Sequence, residues 1–377
     1  MKILIAGDFF VSDDYANRQL IDQSVEELFA SADYRIVNLE SPITADDPKN
    51  KILKTGAHLR SSEDTVIPYL KQLHIDMVTL ANNHILDYGE QGLIDTFHAL
   101  EKNNIARVGA GNNLIEASQP FTIEKEGLKF AILNFCEHEW SIAKKKDKAG
   151  ANPLDIIDNV KQIQAAKAIH DKVICIIHGG HEYYNLPSPR MQKQYHFYAD
   201  NGADAIVGHH THCISGYEVY KGVPIYYSLG NFLFTMNAIN PDWYIGLILK
   251  IECEKDRLKT TLRPVCQEKE TFKLYLPKGR EKEEIFNRVQ SYAEIIQNES
   301  LLEQSWEQYI SMESKEYLNC WSLTSFIRNR YLRGALNKLG INFKNKKGLS
   351  LLLNLMKCEA HNDLSREIIS NYLNGEH

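Results

Sequence analysis

Val207 to Phe232 reads VGHHTHCISGYEVYKGVPIYYSLGNF. Three histidines, His209, His210 and His212, fall within four residues, directly after the apolar run ADAIV and ahead of a second strand-like run, VPIYYSL. Strands that end in polar clusters present side chains at one edge of a sheet, where α/β proteins bind ligands. His210 and His212, one residue apart, can both face a pocket from an irregular turn. A single histidine is more often structural than a ligand, so the weight of this stretch rests on what converges with it.

The same arrangement recurs along the chain. Ile3–Ala6 runs into Gly7-Asp8, Ile36–Leu39 into Glu40, IDMVTL into Ala81-Asn82-Asn83-His84, and VICIIH into His178-Gly179-Gly180-His181-Glu182. Helical spacing separates these runs. It appears from Arg18 to Phe29, then in a helix capped by Ser61 or Ser62 that carries Val66, Ile67, Leu70 and Leu73. It returns from Gly89 to Asn103, from about Pro153 to His170 and from about Arg190 to Asn201. Apolar strand, polar tip and helix form the repeating unit, which places the chain in the α/β class. FTIEKEG with LKFAILNF reads as a hairpin, and WYIGLILKIEC with LKTTLRPV as an antiparallel pair at a sheet edge. The polar stretch SPITADDPKNKILKTGAHLRSS, after Glu40, has the length of a lid and equally of a surface excursion.

Strand signals end near Leu276, so residues 1–276 are read as the α/β domain and 277–377 as a helical C-terminal region. Within that region Arg328, Arg330, Arg333, Lys338, Lys344, Lys346 and Lys347 occur without an acidic residue between Trp321 and Lys347. Such a basic amphipathic segment can lie on an anionic membrane or bind an acidic partner. The reading preferred from sequence is the solvated face of a packed helical bundle, without membrane contact.

Composition sets outer bounds. The chain has 377 residues, 44% hydrophobic and 24% charged, which are ordinary values for a globular protein. A net charge of −6 argues against nucleic-acid binding by the chain as a whole. Seven cysteines without a CxxC pair suggest neither a disulfide framework nor a zinc ribbon, and a reducing compartment fits. MKILIAGDFFVSDD falls short of the apolar core of a signal peptide, and no run reaches the length of a membrane span. The expected location is the cytoplasm.

Asp8, Glu40, Asn83, His84, His178, His210 and His212 therefore converge at strand tips. Carboxylates, an amide oxygen and imidazoles without thiolate suit a divalent transition metal, Mn, Fe or Zn, at a hydrolytic site. A pair of metals would clamp an in-line displacement and acidify a shared water, and Glu40, with two oxygens, is placed to bridge them. Helix capping and hydrogen bonding by the same residue types is the competing reading. Five successive strand tips carrying such groups are harder to explain that way.

GDFF, NLESPIT, ANNHILDYG, HGGHEY, GHHTH and YSLGNFLF, in this order and spacing, resemble the capsule-synthesis CapA family. The resemblance runs from Met1 to about Val265. It implies a calcineurin-like metallophosphoesterase sandwich, layered α-β-β-α, and an association with poly-γ-glutamate capsules of bacteria. Carried over by position, it implies that Asp8 and His212 hold one metal, that Glu40 bridges, and that Asn83, His178 and His210 hold the second. His84 becomes the candidate general acid, His181 and Glu182 substrate contacts, and Asn231 a residue lining the same pocket, while His209 is read as structural. Two departures stand out: Phe10 occupies the position where the phosphoesterase pattern has a histidine, and the second strand ends in NLE. The first metal site is thus one nitrogen ligand short. The chain also shows no N-terminal apolar anchor of the kind many members carry.

Two functions are expected on these grounds. The first is a metal-dependent hydrolase acting on a phosphoester or a γ-glutamyl amide, taking a small-molecule or anionic polymer substrate. The second is a non-catalytic accessory component of a capsular polymer synthesis or export complex.

Overall fold

The computed structural model describes residues 1–320 apart from 55, 126, 144, 146, 255 and 256, together with 327, 329–339, 346–357, 369 and 373. In chain order the strands are β1 (Lys2–Phe10), β2 (Tyr34–Leu39), β3 (Met77–Thr79), β4 (Ala106–Val108), β5 (Ala110–Gly111), β6 (Phe121–Lys125), β7 (Leu128–Cys136) and β8 (Gly150–Ala151). They continue as β9 (Lys172–His178), β10 (Ala205–His209), β11 (Tyr217–Tyr220), β12 (Val223–Tyr226), β13 (Asn231–Phe234), β14 (Ile245–Glu254), β15 (Arg257–Gln267) and β16 (Leu274–Tyr275). The helices are α1 (Gln23–Ala30), α2 (Glu63–Gln72), α3 (Gly89–Lys102), α4 (Leu114–Ala117), α5 (Ile156–Lys167), α6 (Pro189–Asp200), α7 (Gly279–Ile296), α8 (Glu299–Cys320), α9 (Arg330–Lys338) and α10 (Lys346–Lys357).

One sheet runs β16-β15-β14-β1-β2-β3-β4, with β13 also paired to β1; the other runs β11-β12-β10-β9-β7-β6. Side chains alternate across each strand, and the alternation sorts the apolar residues into layers. Ile3, Ile5, Ile36 and Met77 of the first sheet meet Phe130, Ile132, Ile174, Ile176 and Val207 of the second in a buried core between the sheets. Leu4, Ala6, Val37 and Leu39 point the other way, onto Val25 and Phe29 of α1, Val66 and Leu70 of α2, and Leu93 and Leu100 of α3. On the far side, Val173, Cys175 and Ile177 pack under Ile163 of α5 and Met191, Tyr195 and Tyr198 of α6. The result is a four-layer sandwich in α-β-β-α order.

The hairpin β6–β7 and the antiparallel pair β14–β15 form as the alternation implies. The helix expected from Arg18 starts only at Gln23. Leu20 and Asp22 instead exchange backbone hydrogen bonds with Leu274 at the sheet edge, and the Asp22 carboxylate caps α1 by accepting from the Ser24 amide at 3.0 Å. Tertiary pairing outweighs local helical spacing there.

Contacts divide the chain into two compact units, Met1–Glu303 and Gln304–His377. Strands cease near Leu276, yet the first unit continues through α7. Ile285 and Val289 enter the core between the sheets, and Gly216 lies so close to α7 that a Cβ there would stand 2.5 Å from the Ala293 nitrogen. The helical C-terminal region expected from the sequence begins with this packed helix, and α8, α9 and α10 come after it. Positions 321–326, 328 and 358–368, which fall in the expected helices or the basic segment, lie outside the described residues, as do Lys344 and the loop lysines Lys144 and Lys146.

One irregularity in β1 positions the site. Ile5 pairs with Ile36 but Asp8 with Asn38, so three steps on β1 match two on β2. A bulge of this kind flips the side-chain sense of the residues beyond it. Strict alternation from Leu4 and Ala6 would send Asp8 to the helix layer; the bulge sends it between the sheets and returns Phe9 to the helix side. Gly7 sits in the bulge with its backbone against β13's approach, where a Cβ would fall 1.8 Å from the Gly230 carbonyl oxygen. Gly7→Ala is expected to cost about 3 kcal/mol and to displace Asp8. Chemical denaturation reads the first effect and metal uptake the second; a variant of wild-type stability that binds metal normally would refute this role.

Candidate metal centre

Beyond the apolar core, the inter-sheet layer turns polar at the carboxyl ends of the strands. Ile36, Asn38 and Glu40 share one face in sequence steps of two, and Ile174, Ile176 and His178 do the same in β9, so each polar tip continues an apolar row. After β10 the chain bends sharply: His210 and His212 have φ of 91° and 53°. These left-handed conformations are costly for residues with a Cβ, and here they bring both imidazoles back to the sheet edge.

Asp8, Glu40 and His178 offer ligand atoms all within 4.8 Å of one another. His212 lies between the two carboxylates, Nδ1 at 3.6 Å from Asp8 Oδ2 and Nε2 at 3.5 Å from Glu40 Oε1. On the other side, His178 Nε2 is 3.0 Å from Asn83 Oδ1, 3.1 Å from His210 Nδ1 and 3.9 Å from Glu40 Oε1. The structure thus brings Asp8, Glu40, Asn83, His178, His210 and His212 into one cluster, in which His178 Nδ1 also stands 3.8 Å from Asp8 Oδ1 and the His210 amide donates to Asp8 Oδ2 at 3.1 Å. The Asn231 amide oxygen contacts His212 Nδ1 at 2.9 Å, while its amide nitrogen donates to the Trp243 carbonyl at 3.0 Å.

The electrostatics suit a cation. Asp8, Glu40 and His178 are fully buried, and among the described residues neither Glu40 oxygen accepts a hydrogen bond. No lysine or arginine among them pairs with Asp8 or Glu40. Burial pushes the Asp8 carboxyl up to about 7, against hydrogen bonds from Asn38 and the His210 amide that pull it down. Glu40 is driven well above the ordinary carboxylate range by burial and then by the neighbouring Asp8 and Glu182. Burial also lowers His178 well below its usual value and brings His210 to about 4 and His212 to about 3. Imidazoles held neutral by burial, beside buried carboxyls that no described lysine or arginine pairs with, form a donor set that fits a divalent transition metal.

Asn38 carries a role that sequence reasoning missed. Its amide nitrogen donates to Asp8 Oδ1 at 2.8 Å and lies 3.2 Å from His178 Nδ1, while its oxygen accepts from Thr79 and Asn82, each at 3.2 Å. The clue was an asparagine two residues before Glu40 inside an otherwise apolar strand. Glu139 was missed as well; it accepts from Asn83 Nδ2 at 3.0 Å and stands 3.8 Å from His210 Nε2.

His84 lies beside the cluster, and its Nδ1 meets Asp87 Oδ2 at 2.7 Å. Asp87 also accepts from the Leu59 amide at 2.7 Å and forms an ion pair with Lys54, whose Nζ is 3.2 Å from His84 Nδ1. Only 2% of the Lys54 side chain is exposed. The stretch read as lid or excursion is therefore tied down over the Asn82–Tyr88 turn by a buried salt bridge. His181 and Glu182 come after His178 in the turn before α6; burial lowers His181. His209 is fully buried, with neither ring nitrogen hydrogen-bonded. Phe10 packs with Leu59, Phe234, Trp243, Tyr244 and Phe272. At the position where the sequence resemblance led to the expectation of a missing nitrogen ligand, Phe10 helps build an apolar wall beside His212.

Residues 2–236 match the family described as bacterial capsule synthesis protein PGA_cap. The chain belongs to this family. It is 38% identical over 217 residues to the PGA biosynthesis protein CapA of Bacillus subtilis (strain 168), covering 57% of this chain and 56% of that protein. It is 36% identical over 217 residues to the capsule biosynthesis protein CapA of Bacillus anthracis, covering 56% and 52%. The match thus spans about half the length of these relatives. Among solved structures, the 5'-nucleotidase of Candida albicans SC5314 superposes with a TM-score of 0.42 at 12% identity, covering 78% of this chain and 58% of that one.

Two outcomes test the centre. A metal must displace the protons that burial holds on Asp8 and Glu40, so affinity for Mn²⁺ or Zn²⁺ should fall at least about tenfold per pH unit below pH 7. The lowered histidines titrate too far down to cause this loss. Calorimetry between pH 7 and pH 5 showing constant affinity would contradict it. Lys54→Met leaves Asp87 as a buried uncompensated charge and should cost about 3 kcal/mol. Hydrogen exchange should show residues 52–59 loosened first; unchanged protection there would mean the salt bridge does not hold the loop.

Proposed function

We propose that this member of the capsule synthesis family is a metal-dependent hydrolase acting on a phosphoester or a γ-glutamyl amide of a small molecule or an acidic polymer. The observation that carries the reading is Glu40: a fully buried carboxylate, unbonded by any described donor, lying between two imidazole groups. Asp8 with His212, and Asn83 with His178 and His210, are the residues that would hold a pair of divalent metals, with Glu40 common to both. Bound there, Mn, Fe or Zn supplies a Lewis acid and lowers the pKa of water toward neutrality.

The chain's own groups supply the rest. Asn38 holds Asp8 in place, and Asn231 orients His212. The Asp87 carboxylate engages His84 at Nδ1 and leaves Nε2 as the atom that can pass a proton to a leaving group. Lys54 pairs with Asp87 in its buried position and fixes the carboxylate behind His84. His181 and Glu182 line the approach and contact the substrate.

The accessory role in a capsular polymer complex rests on a different observation. Glu139 and Glu182 add carboxylates near the ligand cluster, which disfavours a phosphate unless metal charge offsets them. Activity on bis-p-nitrophenyl phosphate and on γ-glutamyl-p-nitroanilide, with metal content measured by elemental analysis, separates the two. Hydrolase function predicts bound transition metal and at least a 100-fold loss of turnover in Asp8→Ala, Glu40→Gln and His210→Ala with the fold retained. It also predicts a loss of about 100-fold or more in His84→Gln without loss of metal. Wild-type turnover in all three ligand variants would eliminate the hydrolase; bound metal without hydrolysis, and co-purification with a ligase or membrane protein, would favour the accessory role.

A further inference from the structure

The acid-free part of the tail is not used by the metal centre. From Tyr317 to Cys358 the sequence holds eight lysines and arginines and no aspartate or glutamate, whereas the rest of the chain has 35 basic against 49 acidic residues. Charge is thus strongly segregated. Helix α9 divides it again at finer scale. At 100° per residue, Tyr331, Leu332, Ala335 and Leu336, with Leu339 just beyond the helix, fall within an arc of about 140°. Arg330 and Arg333 lie on the opposite arc, and Lys338 falls at the border about 20° from Tyr331. Asn329 caps the helix, its side chain accepting from the Tyr331 amide at 3.0 Å and the Leu332 amide at 3.1 Å. The Arg330 guanidinium stands 4.8 Å over the Tyr331 ring.

A packed bundle would bury that apolar face. Instead Tyr331 is 74% exposed, Leu332 52% and Leu339 72%. Leu351, Leu353 and Met356 of α10 are exposed as well. Large apolar side chains displayed together on a folded chain mark an interaction surface. A basic polar arc opposite leucines and a tyrosine is the pattern of helices that lie in the headgroup region of a bilayer.

We propose that this basic, leucine-rich segment docks the protein on an anionic lipid surface. Positive charge draws it to acidic headgroups, and the apolar arc of α9 inserts among the acyl chains. The acidic remainder of the chain is repelled by the same surface, so the contact is confined to the basic segment. Among the described residues no helix is long and apolar enough to cross a membrane, so the contact is one of surface docking. A soluble acidic polymer would match the charge but leaves the apolar arc in water. That arc is what favours lipid.

Co-sedimentation of the full chain with vesicles tests this. Binding is expected to phosphatidylcholine vesicles containing phosphatidylglycerol, to weaken as salt rises, and to be much weaker to phosphatidylcholine alone. Replacing Arg330, Arg333 and Lys338 together by Gln should reduce binding on the order of 100-fold. Leu332→Ser with Leu339→Ser, which leaves the charge untouched, should reduce it about tenfold or more. No partition into anionic vesicles at low salt would overturn the proposal. So would wild-type binding by the double serine variant, which would assign the segment to polyanions by charge alone. Vesicle-independent self-association abolished by the serine changes would assign the face to a second copy instead.

Discussion

The site depends on the close approach of Gly7 to the Gly230 carbonyl. At that contact β1 gains one residue relative to β2, and Asp8 turns from the helix layer into the space between the sheets. Without that turn, Asn38 would have no carboxylate to hold and His212 would face Glu40 alone. The same contact brings β13 alongside β1, which is how Asn231 comes to stand opposite Asp8. A single backbone irregularity thus places an acidic group on one side and an orienting amide on the other.

Burial then determines the chemistry. Water is excluded from Asp8, Glu40 and three histidines at once, so burial first, and then like groups crowded together, raise the carboxyls and lower the imidazoles in pKa, with no lysine or arginine among the described residues to offset them. Such a cluster is unfavourable by itself and becomes favourable when a multivalent cation enters. The protein supplies its compensating cation only one step away, where Lys54 neutralises Asp87 behind His84. The neutralised pair thus stands beside, and separate from, the un-neutralised cluster, as the proposed division between proton donor and metal ligands requires.

Much of this was legible in advance. Asp8, Glu40, Asn83, His178, His210 and His212 are found at strand tips because a parallel sheet buries an unbroken apolar run and must end it where polar groups begin. The helix starting at Gly89 and the β14–β15 pair arise from local periodicity in the same way. Other features were not legible. Leu20 and Ile21 have helical spacing but belong to an edge contact with Leu274, because a distant strand offers their backbone better hydrogen bonds. Lys54 looked like any loop lysine, since nothing local says that Asp87 lies over it. The end of strand signals at Leu276 also did not mark the end of the packed unit, because α7 covers the open side of the sandwich.

What the sequence by itself determined is the inventory and its order: strand tips with carboxylate, amide and imidazole groups, alternating with amphipathic helices, and a basic segment free of acidic residues within the tail. These are set by local composition and by periods of two and 3.6 residues. Only the tertiary structure decided which groups meet. The bulge that turns Asp8, the left-handed backbone at His210 and His212, the Asn38 bridge and the burial of Lys54 all arise from contacts between segments tens to hundreds of residues apart. Close packing and exclusion of water act on distances in space, and no local pattern in the chain encodes those.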